Sequence, residues 1–190
     1  RCRSMSEGSQ KKSRRSMLMV LGAFILPIVL AKLALTQNWL DYGVTNKGTL
    51  VENELTLQKL GLEQTSLQET WLVIYSLPQH CDTHCEQTLL SVNNSYIALG
   101  RERPRVKRVA LSPNPLSEQQ TQRLTENSWT IISTPNLVKN ILPQSQVLVV
   151  DPLGNVILSH KPPANDEAQA MFGKEILADM KKLLKYSRIG

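Results

Sequence analysis

Hydrophobic and polar positions divide this chain into one long apolar block near its start and a series of short apolar runs separated by polar turns. Met17 to Leu35 is apolar except for Lys32, close to its far end. At a helical rise of about 1.5 Å per residue the block spans about 28 Å, the depth of a bilayer core. It predicts a single membrane-spanning helix over residues 17–36. Lys32 can snorkel to the interface, where Trp39 and Tyr42 would join an aromatic belt. A cleaved signal peptide is the alternative. The run is long for such a segment and no small-x-small cleavage site follows it, so an uncleaved anchor is expected.

Beyond the anchor, residues 37–69 read as an extended linker or hairpin, with a turn signal at Asn46-Lys-Gly48. Trp71 to Leu77 has the length and the β-branched and aromatic content of a buried strand, which Pro78 breaks. A helix follows, with Cys85, Leu89, Val92, Tyr96 and Leu99 on one face and Gly100 as its stop. Val106 to Leu111 is a strand. Ser117 and Gln120 form a capping box for a helix to about Glu126. A short strand over 128–133 precedes Thr134-Pro135, an N-cap and first residue for a helix through Leu142. Residues 145–151 and 156–160 form a hairpin around Asp151-Pro-Leu-Gly-Asn155. A last helix runs from Asn165 to about Tyr186, with Phe172, Ile176, Met180, Leu183 and Leu184 on one face. This order, βαβ and then ββα with an insertion between, predicts a thioredoxin-like α/β domain over residues 70–190.

Charge sharpens the topology. The chain has 190 residues and a formal net charge of +6. Six Lys or Arg and one acid lie in residues 1–16, a basic tail ahead of the apolar block, and Lys32 adds one more. The remaining basic and acidic residues cancel, so the globular part is neutral and no nucleic-acid partner is expected. The tail lies in the cytoplasm by the positive-inside rule. The domain then lies on the outer side of a bacterial inner membrane, in the periplasm.

The chemistry is concentrated after the first strand, in His80-Cys81-Asp-Thr-His-Cys85. Residues i and i+4 lie about 6 Å apart on a helix, within reach of a disulfide. Both thiols stand at a helix N-terminus, whose free N–H groups favour a thiolate. Thiolates serve disulfide exchange and soft Cu(I) alike. The helical period turns Cys85 to the core and leaves Cys81 in the loop, an arrangement that suits a resolving and an attacking thiol. A bridge closing so short a loop removes little chain entropy, so a purely stabilising disulfide gains little. Arg101 to Arg108 (RERPRVKR) reads as a solvated loop leading into a strand rather than a docking patch.

These residues resemble the Sco/SenC proteins: a Cys-x-x-x-Cys motif preceded by histidine, between an apolar strand and a helix, with a single anchor and an Asp-Pro-Leu-Gly hairpin. The short proteobacterial relatives found with cytochrome oxidase assembly genes are similar too. The resemblance covers roughly residues 70–187. It implies a membrane-anchored, thioredoxin-like assembly factor for cytochrome c oxidase. Such a factor would use Cys81 and Cys85 in thiol–disulfide exchange or transient Cu(I) handling, with a respiratory oxidase subunit or its assembly factors as partner. The motif departs from the family's in two ways. Asp82 and Glu86 replace the prolines that follow each cysteine. The family's copper-binding histidine has no counterpart in Asn140 to Gln146, which leaves His160, at the end of the hairpin, as the candidate third metal ligand. Two other functions stay open: an interaction protein with a static Cys81–Cys85 disulfide, and a general periplasmic thiol oxidoreductase.

Overall fold

The computed structural model describes residues 7–36, 46–51, 55–63 and 65–187, and the chain divides into two compact units, residues 1–45 and 46–190. The first contains one helix, α1 (Glu7–Thr36), with Pro27 inside it. Its described apolar side chains, among them Met17, Phe24, Leu26 and Ile28, are exposed. Among the described residues no helix is long and apolar enough to cross a membrane. Trp39 and Tyr42, expected in an aromatic belt, lie outside the described residues.

The second unit is built on a six-stranded sheet. Its strands are β1 (Thr49–Leu50), β2 (Trp71–Ser76), β3 (Val106–Ser112), β4 (Thr130–Ser133), β5 (Gln146–Val150) and β6 (Val156–His160), in the order β1-β6-β5-β2-β3-β4. β2, β3 and β4 run parallel, while β5, β6 and β1 each pair antiparallel with their neighbours. The helices are α2 (Thr83–Ile97), α3 (Glu118–Glu126), α4 (Asn136–Ile141) and α5 (Asp166–Tyr186). All six residues of β2 are buried. A central strand covered on both faces carries a continuous apolar run rather than an alternating one. One core joins Val73, Tyr75 and Val149 to Leu89 and Val92 of α2 and to Phe172, Ile176 and Met180 of α5. A second core joins Leu72, Ile74 and Leu148 to Val138, Leu142 and a set of leucines from the N-terminal segment.

The N-terminal segment contributes to both the sheet and the core. Leu57, Leu60, Leu62 and Leu67 are buried in the second core, and β1 closes the sheet edge beside β6. The leucines sit on turns and a short 3-10 helix, where neither helical nor strand spacing marks them. The start of α4 also differs. Pro135 occupies the cap position, and Thr134 belongs to the preceding extended chain, its amide donating to the Ser112 carbonyl. Gly100 lies one residue further from α2 than a C′ stop, because Ala98 is the cap; its φ of +60° still favours glycine. The capping box of α3 is formed as expected, Ser117 and Gln120 each bonding the other's backbone amide.

Arg108 departs furthest from the sequence reading. It is 4% exposed, on β3, with its guanidinium 3.8 Å from the Tyr96 ring centroid and 5.3 Å from that of Trp129. It donates to the Asn93 side-chain oxygen and the Asn127 carbonyl. A buried cation is tolerated when its donors are satisfied and aromatic faces replace its hydration. Burial pushes its pKa down from the usual arginine value, opposed by Tyr96.

His160 is buried at the end of β6. Its Nε2 lies 3.3 Å from Asp179 Oδ2, although it makes no aligned hydrogen bond. The Asp179 carboxylate also accepts the amides of Lys47 and Gly48, fastening the start of the N-terminal segment to α5. Gly48 is required there, since a Cβ would stand 2.6 Å from His160 Nε2. Burial lowers the His160 pKa, opposed by Asp179 and then Glu175. The folded chain therefore takes up this proton less readily than the unfolded one. The stability His160 contributes is complete above about pH 6.5 and is lost as pH falls from there through the lower folded value. Urea midpoints should accordingly drop with acidification below about pH 6.5, and a His160→Gln variant should lose that part of the slope.

Candidate functional site

The site begins where β2 ends. Pro78 and Gln79 turn the chain out of the sheet, and α2 starts at Thr83. Asp82 is the N-cap of α2, and its Oδ1 accepts the Cys85 amide at 3.0 Å. That bond satisfies one of the free donors of the first turn and fixes the register in which α2 begins. The register turns Cys85 into the first core, where it is 1% exposed. Cys81, one residue before the cap, is only partly buried against the same core. The two sulfurs are joined in a disulfide, with the Cα atoms 5.1 Å apart.

Residues from three other parts of the fold hold this loop. Gln120 of α3 donates from Nε2 to the Cys81 carbonyl at 3.0 Å and to Glu86 Oε1 at 3.1 Å. Arg123 pairs with Glu86 at 3.3 Å. Asn114, in the loop after β3, donates to the Gln79 carbonyl at 2.7 Å. On the other side Gln169 of α5 donates to Thr88 at 3.2 Å and stands 3.4 Å from His84 Nδ1. Beneath α2, burial raises the Tyr75 pKa above the usual phenol value, opposed by the nearby Ser145 and Thr88 side chains. Asn114 and Gln169 carried no signal in the sequence, since their partners are 35 and 85 residues away. Gln120 was legible as a cap residue but not as a tie to Cys81.

The expected site residues are therefore divided. Cys81 and Cys85 are joined. His80 is exposed and His84 half-buried beside Gln169. His160 is engaged with Asp179 in a separate cluster. Among the described residues no three of His, Cys, Asp and Glu form a group that could hold a metal ion. Chemically the arrangement is a disulfide between a partly buried cysteine and one in the core.

A family model described as "Transmembrane-like, thioredoxin-like, C-terminal domain" matches residues 71–187. No curated protein matches the chain. Among solved structures, the apo Sco1 protein from Thermus thermophilus is 17% identical; the match covers 74% of this chain and 99% of that one, with a TM-score of 0.52. At such identity the likeness shows a shared fold. Two further Sco structures weigh less. Bradyrhizobium japonicum ScoI, solved with copper bound, is 16% identical over 57% of this chain and 86% of its own, at TM-score 0.42. BsSco, a member of the Sco family of cytochrome c oxidase assembly proteins, is 15% identical over 64% and 84%, at TM-score 0.46.

The exposure of the two sulfurs predicts the site of attack. When the oxidised chain is treated with a small monothiol and quenched with acid, peptide mapping should place the mixed disulfide on Cys81. An adduct found mainly on Cys85 would contradict the assignment of roles.

Proposed function

The chain belongs to the family of transmembrane-like, thioredoxin-like C-terminal domains, and on that footing we propose that it is a membrane-anchored thiol–disulfide exchange protein serving assembly of cytochrome c oxidase. The observation that carries the exchange reading is the Cys81–Cys85 disulfide at the N-terminus of α2, with Cys81 only partly buried and Cys85 in the core. A partner thiolate attacks Cys81, the S–S bond breaks, and Cys85 leaves as a thiolate. Reduced Cys85 can then resolve a mixed disulfide at Cys81 by the reverse displacement. Oxidase assembly is supported by the resemblance of the thiol motif to the Sco/SenC proteins, and by the fold shared with Thermus thermophilus Sco1.

The apolar run Met17 to Leu35 and the basic tail before it support an anchor with its N-terminus in the cytoplasm. The exchange domain then works on the outer face of the inner membrane, a compartment where disulfides persist.

Copper enters this reading as cargo. The reduced pair offers two thiolates, and soft Cu(I) accepts such a pair. Cu(II) favours additional nitrogen or oxygen ligands in a tetragonal field. Asn140 to Gln146 contains no histidine, and His160 is buried beside Asp179. The donor set thus fits transient Cu(I) and does not fit a stable Cu(II) site.

Two experiments test the proposal. Titration of the reduced chain with Cu(I) against a competing chelator should give binding that Cys81→Ser or Cys85→Ser abolishes and His160→Ala leaves nearly unchanged. No uptake by the wild type would remove copper from the proposal and leave exchange alone. Deleting the gene should lower the copper content and assembly of the oxidase, and a chain lacking both cysteines should fail to restore them. Full restoration by that chain would favour a non-catalytic interaction protein.

A further inference from the structure

Asp82 stands between the two cysteines and caps α2. The N-terminus of a helix stabilises a thiolate through its free amides and its dipole. Here two of those amides have other acceptors. The Cys85 amide donates to Asp82 Oδ1 at 3.0 Å, and the Glu86 amide donates to the Asp82 carbonyl at 3.0 Å. The Asp82 carboxylate also brings a negative charge to the place where reduced Cys81 would carry its own. A like charge nearby disfavours a second one. Cys85 has a different difficulty. It is buried in the first core, and apolar surroundings disfavour a thiolate.

The other charged and titratable groups around the sulfurs come from four elements. Glu86, in the first turn of α2, is paired with Arg123 of α3 at 3.3 Å. His80 is exposed in the loop before Cys81, and His84 stands 3.4 Å from Gln169 of α5. Tyr75 of β2 lies beneath. Burial is the main cause of its raised pKa, and the charge of Asp82 acts in the same direction. That charge is therefore felt in the interior below the disulfide. Among the described residues Asp82 forms no ion pair that would offset it.

We propose that Asp82, as an anionic cap, sets the redox poise of Cys81–Cys85. Its charge destabilises the reduced pair and makes the dithiol a stronger electron donor than the same fold with a neutral cap. A couple is the more oxidising the better its reduced form is stabilised, and Asp82 works in the opposite sense. This rests on the exchange reading and assigns the poise of that site to one side chain. The equilibrium that reads it is reduction by glutathione. One glutathione thiolate attacks Cys81 Sγ, and Cys85 leaves with the electron pair and is protonated. A second attacks the glutathione sulfur of the mixed disulfide, and Cys81 leaves in turn. Two electrons pass from two glutathione thiols to the chain, giving its dithiol and glutathione disulfide.

The test uses the full chain as wild type, Asp82→Asn and Glu86→Gln, equilibrated in glutathione buffers, with each cysteine read by peptide mapping after acid quench. Asparagine caps a helix as well as aspartate does, so Asp82→Asn keeps the register of α2 and loses only the charge. Its equilibrium constant for reduction should rise about fivefold, the scale of one charge at a helix end. The rise should shrink in about 1 M salt, which screens an exposed charge. The pH midpoint for alkylation of reduced Cys81 should fall in the same variant. A cap that served only as a brace would move neither quantity. Glu86→Gln should change the constant less, because its carboxylate is turned toward α3. An unchanged or lower constant in Asp82→Asn, or an equal rise in Glu86→Gln, would overturn the assignment. Failure of the exchange reading itself would look different: wild type and variants alike would stay oxidised even in dithiothreitol, and the assignment would fall with it.

Discussion

The Asp82 carboxylate accepts the Cys85 amide, and the register of α2 follows from that bond. Were the helix to begin one residue later or earlier, its faces would turn by about 100°. Cys85 would leave the core, and Leu89 and Val92 would leave with it. The difference in exposure between the two sulfurs is thus inherited from a cap, and the reactivity assigned to Cys81 is inherited from that difference. The family that the motif resembles places proline after each cysteine. Here Asp82 supplies a cap and Glu86 supplies an anchor point for Gln120 and Arg123. Of the two positions that depart from the motif, one therefore caps α2 and the other fastens it to α3.

Arg108 plays the corresponding part lower in the domain. It sits among α2, β3 and the end of α3 with two oxygen acceptors and two aromatic faces. Burying a guanidinium without a carboxylate is costly unless every donor is answered. The arrangement is thus specific: aliphatic replacements would fill the volume but leave Asn93 and Asn127 without their donor. The insertion that carries α3 and β4 is joined to the thioredoxin-like core partly through this one side chain.

How much of this was legible depended on the range of the interactions. The βαβ and ββα order, the buried β2 run and the inward turn of Cys85 followed from local periodicity, and all are present. The capping box at Ser117 was visible because both members lie within one helical turn. Arg108 was hidden in a run of like charges, yet strand alternation from Val106 would have turned it inward beside Lys107 turned outward. The buried leucines of residues 57–67 obey neither period, because turns present them to the sheet. As a histidine at the thiol end of a hairpin, His160 reads in the sequence as a candidate metal ligand. Its partner Asp179 lies on the last helix, and only the folded packing of α5 brings the two together.

The central claim is that Cys81–Cys85 is an exchangeable disulfide rather than a static brace. Its reduction potential, measured by thiol trapping of the full chain across a series of redox buffers, tests this most directly. An exchange protein predicts a reversible transition at a potential above about −300 mV. A pair that remains oxidised below about −300 mV would behave as a structural bridge and contradict the account.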